Sequence, residues 1–408
     1  MAHDHDHHST EVKPEQVAIP SKIYNIAYAL IAIGAVSLVA TFFMGHGEHN
    51  PKPWAAMLVG AYYTLGIAMA GALFVCLARL TAAGWSVGMV RIGEAMMSYI
   101  PIAGAIVLLI TFLGMHQLYH WSHEGITDPK SEHYDPIIAS KSWFLNTGMF
   151  FGIQIVAYLV WTLITRRIRA NSLNEDQNGG IKALRHNKTL ASIFVVFYGV
   201  SWAMFIWSVV MSLDPHWYST IFWVYHFVTT WLTGLSFVAI VAVLLKRNGY
   251  LSIVNDNHFH DLGKLMFGFS IFWAYIWTSQ FLLIYYANIP DEVIYYDERF
   301  GGHWKPYFFF NLIINFVTPF LFLMSRDAKR KQNSMLIAGI ILMVGHWTDV
   351  YLGVMPGVQG HDATIVPEFG VTLLFVGIFL FVFLKSLSKF SLIPAKHPYV
   401  KEFATHNI

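Results

Sequence analysis

Long apolar stretches separated by short polar segments recur from one end of the chain to the other. A helix needs about 20 mostly apolar residues to cross the roughly 30 Å hydrocarbon core of a bilayer. About ten stretches reach that length, so the pattern predicts an all-α polytopic membrane protein with about ten transmembrane helices. The predicted spans lie near residues 22–43, 54–80, 92–116, 142–165, 189–212, 219–245, 264–288, 306–325, 333–355 and 368–388.

The basic residues favour one side of these spans. With ten spans, all but five of the 26 Lys and Arg lie on the side that holds both termini. Lys and Arg near helix ends are retained in the cytoplasm, and a wrong number of spans would scatter them over both sides. We therefore expect a multi-pass protein with cytoplasmic N- and C-termini. The five exceptions are Lys52, Lys130, Lys141, Arg299 and Lys305.

A weak internal repeat suggests how the spans are grouped. Residues 91–96 (RIGEAM) open the third predicted span, and residues 261–266 (DLGKLM) open the seventh with inverted charges. Residues 141–144 (KSWF) and 305–308 (KPYF) open the fourth and the eighth in the same way. Four helices return the chain to its starting side, so the two copies would be parallel. Chance matching of short apolar motifs is the alternative.

The repeat predicts two four-helix bundles with one flanking helix at each end. The expected division is a polar tail at 1–21, a flanking helix at 22–53, bundles at 54–212 and 213–360, and a last helix with its tail at 361–408.

Composition excludes several classes of protein. Apolar residues make up 56% of the 408 residues and charged residues only 12%, too few for an ordinary soluble surface. A net charge of +2 gives no basis for nucleic-acid binding. Because Cys76 is the only cysteine, the chain can hold no disulfide, cysteine-ligated iron–sulfur cluster or C-x-x-C-H haem of its own. The His/Asp-rich residues 1–10 lack the layout of a cleaved signal peptide, so we expect a polar tail and a retained first helix.

Ionisable residues within the spans form two layers. Each is costly in hydrocarbon unless it is paired or hydrated, so each is a functional candidate. On the side of the termini, Arg91 with Glu94 and Asp261 with Lys264 stand three residues apart, where helical neighbours can form ion pairs. Intrahelical neutralisation and headgroup anchoring explain Arg91 and Lys264, while Glu94 could accept protons at a cytoplasmic entrance.

The layer on the opposite side is denser in histidine and carboxylate. Histidine titrates near neutrality, and burial can raise a carboxylate towards it, so such a set could pass protons or accept them from a quinol hydroxyl. The proton-path candidates of both layers are Glu94, His116, Asp214, His216, His226, Asp261, Lys264, His346, Asp349 and Glu368.

A quinone ring needs a base within hydrogen-bond reach and aromatic walls. The candidates for that role are His226, Trp223, Tyr225, His346 and Trp347. Membrane interfaces collect aromatic and histidine side chains whatever the function, so a belt role is the alternative for many of these rings.

Metal and haem ligation are not expected of this chain. His116, His120 and His123 share a helical face, but no carboxylate or cysteine pattern supports a metal site. A haem b needs facing imidazoles on different helices, commonly in duplicate, and His226 with His346 is the one pair available. We therefore predict that the chain itself binds no metal and no redox cofactor.

Several motifs resemble those of a known family. They are residues 91–95 (RIGEA), 212–217 (SLDPHW), 260–264 (HDLGK) with Trp277-x-x-Gln280, and 384–389 (LKSLSK) followed by Pro394. In these motifs, and in order over nearly the whole chain, the sequence resembles the NrfD/PsrC-like membrane subunits. More narrowly, it resembles the ActF type of bacterial alternative complex III, a quinol:cytochrome c (or electron-carrier) oxidoreductase.

The resemblance implies two four-helix bundles with flanking helices in a bacterial inner membrane. It also implies a cofactor-less subunit that contributes first proton conduction and second a quinone pocket to the oxidation of a menaquinol-type quinol. The ActC-like sister subunit is the stronger candidate for the working quinol site. The implied partners are that sister subunit, an ActB-like iron–sulfur subunit, multihaem and monohaem cytochromes c, small membrane subunits, lipid and a terminal oxidase. A secondary transporter and a purely structural anchor are the alternatives.

Overall fold

The computed structural model describes residues 15–44, 50–179, 181–359 and 365–407. Within this part of the chain ten helices are long and apolar enough to cross a membrane, which confirms the predicted all-α polytopic fold. They are α1 (Ser21–Met44), α2 (Lys52–Leu80), α3 (Val90–Leu113), α4 (Thr147–Asn178), α5 (Ile181–Leu213), α6 (Phe222–Arg247), α7 (Asp256–Ala287), α8 (Lys305–Leu323), α9 (Gln332–Gln359) and α10 (Val366–Leu387).

Local capping sets several helix ends that hydrophobicity misplaces. The fourth span was expected to start at 142, but α4 begins after Asn146, whose side chain accepts a hydrogen bond of 2.9 Å from Met149 N. The same helix continues well past the expected end at 165 and stops at Gly179, where φ is +65°. A left-handed φ is strained for residues with a side chain, so glycine ends the helix there.

The described helices contact one another in two groups. Helices α2 to α5 contact one another in one group, and α6 to α9 contact one another in a second. Helix α1 packs along α10 and is only 17% buried over its apolar window, so it lies at the edge of the molecule, and α10 lies between α1 and α2. The predicted tail at 1–21 lies outside the described residues up to residue 14, and the predicted boundary at 361 also falls outside them.

The core lies where the two groups meet, along α2 and α6. These are the two most buried spans, at 89% and 83% of their apolar windows. The two helices approach closely at Gly234 of α6, where a Cβ would lie only 2.1 Å from the Cβ of Ala70 on α2. Small residues let transmembrane backbones come together and gain van der Waals contact. The Ala70–Gly234 crossing therefore joins the two bundles.

Both ends of the described chain lie on one side of the molecule. Gln16 and Ser391 form an isolated antiparallel bridge, and Leu392 N donates to Glu15 O at 2.7 Å. We call this side the terminal face and the opposite side the distal face. The distal face carries the connection between α3 and α4, the turn between α5 and α6, and the short helix Pro290–Phe300 between α7 and α8.

Candidate functional site

Asp349 of α9 is a carboxylate buried inside the second bundle, with 1% of its surface exposed. It accepts hydrogen bonds from the hydroxyls of Tyr225 and Thr229 on α6. It also accepts from Trp273 Nε1 on α7 at 2.9 Å and from Asn311 Nδ2 on α8 at 2.7 Å. Every helix of the second bundle thus contributes to one anionic centre, which we call the Asp349 cluster. Fully hydrogen-bonded polar networks of this kind fix a unique packing.

His346 lies one helical turn before Asp349 and is fully buried. Its Nδ1 atom is 3.8 Å from Asp349 Oδ2. Neither ring nitrogen has a hydrogen-bond partner among the described residues. A buried imidazole without protein partners requires an explanation, and a proton-carrying role next to a carboxylate is one.

His226 of α6 connects the Asp349 cluster to the first bundle. Its Nδ1 is 3.0 Å from the hydroxyl of Tyr62 on α2. The ring is fully buried and packs edge-on against Phe222 with centroids 4.4 Å apart. A Cβ on Gly353 of α9 would lie 2.8 Å from His226 Cε1, so glycine at this point makes room for the imidazole.

A small cavity of about 20 Å³ separates the Asp349 cluster from the distal face. Asp349, Gln280 and Tyr295 are among its lining residues. A cavity needs roughly 10–15 Å³ of such volume to hold one water, so this cavity has room for one. The lining residue Arg299 donates to Leu352 O at 2.9 and 3.1 Å and lies 3.3 Å from the Tyr295 ring centroid. The helix Pro290–Phe300 therefore closes the cavity on its distal side.

A larger pocket, which we call the distal pocket, lies beside the end of α5. Its volume is about 300 Å³ and its walls are mainly apolar. The side chains that give it character are Trp143, Trp207, Trp217, Tyr218, Lys141 and Asp214. Trp217 stacks on Tyr295 with centroids 4.2 Å apart, so a single ring pair separates this pocket from the cavity beside Asp349.

Polar contacts hold one wall of the distal pocket in place. His216 Nε2 lies 2.6 Å from Asp135 Oδ2, and Lys141 Nζ donates to Pro215 O at 2.6 Å. Burial raises the pKa of the Asp135 carboxyl, but hydrogen bonds from His216 and from two backbone N–H groups lower the pKa by a larger amount. The pKa of Asp135 therefore lies below its ordinary value. Burial lowers the pKa of Lys141, partly offset by Asp214, Asp135 and a third carboxylate.

Glu94 belongs to a buried ion cluster on the terminal face. Arg91 Nη1 lies 2.5 Å from Glu94 Oε2, which confirms the expected i,i+3 pair. Arg79 Nη2 lies 3.9 Å from the other Glu94 oxygen, and Arg79 Nη1 lies 3.2 Å from Glu175 Oε2. Arg91 also pairs with Asp176. Glu94 is thus held between two guanidinium groups.

The second terminal-face pair also forms as predicted. Lys264 Nζ lies 2.6 Å from Asp261 Oδ1. The other Asp261 oxygen lies 2.6 Å from His406 Nε2, near the C-terminal end of the chain. The sequence offered no signal for this second partner, because it is distant in the chain.

The remaining proton-path candidates lie apart from the Asp349 cluster. His116 is exposed on the distal face with its Nδ1 3.3 Å from Ser122 Oγ. Glu368 is buried at the start of α10, 3.5 Å from Lys52 Nζ. Over the described residues, no group of three or more His, Cys, Asp or Glu is arranged to hold a metal ion.

No known protein family model and no curated protein matches this chain.

None of the quinone candidates chosen from sequence is among the residues that line the distal pocket. His226 and His346 are packed in the core, and the cavity beside Tyr225 has room only for water. Trp347 donates to Thr372 Oγ1 at 2.9 Å in the contact between α9 and α10, and Trp223 is half-buried. Over the described residues, the distal pocket is a mainly apolar cavity with the volume of a ring.

Sequence reasoning missed most donors of the Asp349 cluster. Thr229, Trp273 and Asn311 are ordinary residues of apolar spans when read alone. One signal was available on α8, where Asn311 and Asn315 are four residues apart in an apolar run and Asn315 donates to Asn311 at 2.6 Å. That helix turns π-helical over Ile313–Val317, a local irregularity frequent at functional sites.

Proposed function

We propose that this chain is the proton-conducting membrane subunit of a respiratory quinol:cytochrome c (electron-carrier) oxidoreductase of the alternative complex III type, in a bacterial inner membrane with both termini cytoplasmic. The observation that carries the proposal is the buried Asp349 carboxylate, bound by donors from three other helices beside a water-sized cavity. Ionisable groups inside a membrane protein mark proton and ion pathways. The motif resemblance supplies the kind of complex.

The proposed proton path runs from the small cavity beside Asp349 to the core of the second bundle. A proton that enters the cavity reaches Asp349, whose Oδ2 is 3.8 Å from His346 Nδ1. One bridging water or a small side-chain rotation closes a gap of that length. The hydroxyls of Tyr225 and Thr229 donate to Asp349. Because a hydroxyl can also accept a hydrogen bond, they can pass the proton onwards.

In this proposal the chain carries no redox cofactor. Haem c and iron–sulfur clusters belong to the cytochrome and iron–sulfur subunits, and the homologous membrane subunit, small membrane subunits and a terminal oxidase complete the surroundings. The single cysteine, Cys76, is buried and cannot supply the ligand set of an iron–sulfur cluster.

The proposal is tested by gentle purification of the tagged chain from its native membrane. We expect haem-bearing polypeptides to copurify, and we expect membranes that lack the chain to lose quinol-dependent reduction of cytochrome c. Purified material without haem, together with normal quinol oxidation in the deleted membranes, would contradict it. Substrate counterflow by the lone chain in proteoliposomes would instead favour a secondary transporter.

The distal pocket supports a second candidate role, the binding of a quinol. Its walls are mainly apolar and include three indole rings, and it lies on the distal face. Asp214 Oδ2 is buried there without a hydrogen-bond partner among the described residues. A quinol hydroxyl can donate to that carboxylate while the ring occupies the apolar space.

Asp214→Asn should raise the KM for quinol by roughly 10- to 100-fold, because a hydrogen bond to a charged group contributes about 1.5–3 kcal/mol. The measurement is steady-state quinol oxidation by the purified assembly, with kcat and KM determined separately. Asp128→Asn, at an exposed carboxylate on the distal face, is the matched control and should leave KM unchanged. An unaltered KM in Asp214→Asn would remove the quinol role of this pocket.

A further inference from the structure

The last described residues, 388–407, fold back across the terminal face instead of leaving it. We call them the C-terminal strap. The strap begins beside the N-terminal segment, where Glu15 N donates to Ser391 Oγ at 3.1 Å. It continues past the end of α4, where Lys396 Nζ donates to Gln177 O at 2.5 Å, and ends against α7, where Asn257 Nδ2 donates to Asn407 Oδ1 at 3.0 Å. It therefore spans both bundles.

His397 fastens the strap to the ion cluster of the first bundle. The side chain is 6% exposed, and its Nε2 lies 2.6 Å from Arg79 Nη1. Its Nδ1 accepts a hydrogen bond of 3.1 Å from Tyr399 N. Arg79 in turn pairs with Glu175, so the imidazole covers the terminal-face end of that ion pair.

His406 fastens the strap to the second bundle. Its Nε2 lies 2.6 Å from Asp261 Oδ2, and its backbone carbonyl accepts from Asn255 Nδ2 at 2.9 Å. On the same helix, His258 Nε2 lies 3.1 Å from Phe403 O. Each of the two ionisable clusters on the terminal face, one in each bundle, is thus covered by one histidine of the strap.

The turn between α2 and α3 forms the seat between these two attachments. Phe403 is fully buried, and a Cβ on Gly88 would lie 2.4 Å from its ring. A Cβ on Gly84 would lie 2.3 Å from the Glu402 carboxylate. A side chain at Gly88 would displace the buried Phe403 ring, so glycine at this position makes room for the strap. At Gly84 only the flexible end of Glu402 would have to move.

We infer that the C-terminal strap is a releasable lid. It docks through His397 and His406 on the terminal-face ionisable clusters of the two bundles and controls the access of water to these clusters. The inference rests on the proposed function for the use of that access, since the lid would admit or exclude protons. The physical docking itself is independent of proton conduction. When the strap is released, its hydrogen bonds to the helices are replaced by hydrogen bonds to water, so each bond contributes little net free energy. The equilibrium between docked and released strap therefore depends on a few short contacts.

Acid should favour release. Burial, followed by the charges of Arg79 and Arg91, lowers the pKa of docked His397 to about 3. A released histidine has an ordinary pKa of about 6.5, so the released strap binds the proton more tightly. The docked state is therefore fully favoured above about pH 6.5 and is weakened by up to tenfold per pH unit below it.

Other charged groups face the two histidines from the packed helices, and all belong to the same equilibrium. Those near His397 and its ion cluster are Arg79, Arg91, Glu94, Glu175 and Asp176, and those near His406 are Asp261, Lys264 and His258.

The experiment uses a thiol hidden beneath the strap. Ser86 is 1% exposed and lines a small cavity together with His397 and Tyr399. We would place Ser86→Cys in a Cys76→Ser background of the full assembly, in membrane vesicles with the terminal face outward. The readout is the rate of reaction with a membrane-impermeant maleimide. Thr189→Cys, at an exposed position, is the control that corrects for the thiolate fraction at each pH.

The expected result is a labelling ratio of Ser86→Cys to Thr189→Cys that rises about tenfold from pH 7.5 to 5.5, as follows from a group of pKa near 6.5. Deletion of residues 394–408 should make the ratio high at every pH, and His397→Asn should make it independent of pH. A ratio that neither acid nor deletion changes would overturn the lid. Because labelling does not need proton transport, the lid can be upheld even where proton conduction fails.

Discussion

Asp349→Asn should reduce proton-coupled turnover of the assembly by about a hundredfold or more, the scale on which a positioned acid–base group contributes to proton transfer. The substitution keeps the size of the side chain and removes the proton-binding group. It also replaces one acceptor oxygen with a donor that faces Trp273 Nε1 or Asn311 Nδ2, so part of the hydrogen bonding of the cluster is lost. The measurement is the number of protons moved per electron, followed with a pH-sensitive dye in vesicles.

The matched control is Asp297→Asn, which removes a carboxylate from the exposed side of the distal helix Pro290–Phe300. We expect this variant to keep both its turnover and its proton stoichiometry. If Asp349→Asn kept them as well, the Asp349 cluster would be a packing element and the chain a scaffold for its partners. Melting of the purified assembly separates a loss of conduction from a loss of folding.

Gly234→Leu should separate the two bundles. The new side chain would start 2.1 Å from the Cβ of Ala70 and 3.4 Å from the Ala70 backbone, so α2 and α6 would have to move apart. Overpacking a close helix contact costs roughly 1–3 kcal/mol and often more, and here the contact joins the two halves of the core. We expect a fall in melting temperature of roughly 5 °C or more in detergent, or no assembled protein at all.

Gly268→Leu is the control for this second variant. Nothing lies within 4 Å of a Cβ at that position on α7, and the residue is exposed. The two substitutions add the same side chain to a transmembrane glycine, so they differ only in what that side chain meets. Equal melting temperatures would show that the Ala70–Gly234 crossing is not where the bundles are held together.

The helix irregularities weigh against the transporter alternative. Transporters with internal repeats usually break their helices at corresponding places in the two halves. Here the π-helical turns lie in α5 at Ile206–Val210 and in α8 at Ile313–Val317. In the predicted repeat α5 corresponds to α9 and α4 to α8, so the two irregularities do not match. A protein that conducts protons needs no such pair of broken helices.

The sequence by itself determined the ten spans and the two layers of ionisable residues. Spans can be found locally, because a continuous apolar run has no stable place outside a bilayer or a core. The depth of Asp349, His346 and His226 followed from their positions within those runs, and the structure places all three in the buried core. The i,i+3 pairs Arg91–Glu94 and Asp261–Lys264 also followed from helical geometry alone.

Only the tertiary structure decided what each ionisable group binds. The donors to Asp349 come from residues 38 to 124 positions away, and His397 reaches Arg79 across 318 positions. Such pairings depend on which helix faces meet, and periodicity within one helix carries no information about its neighbour. For the same reason, the ring-sized distal pocket is lined by residues other than the predicted quinone candidates. A cavity is the space left between helices after they have packed, so one helix alone does not reveal it.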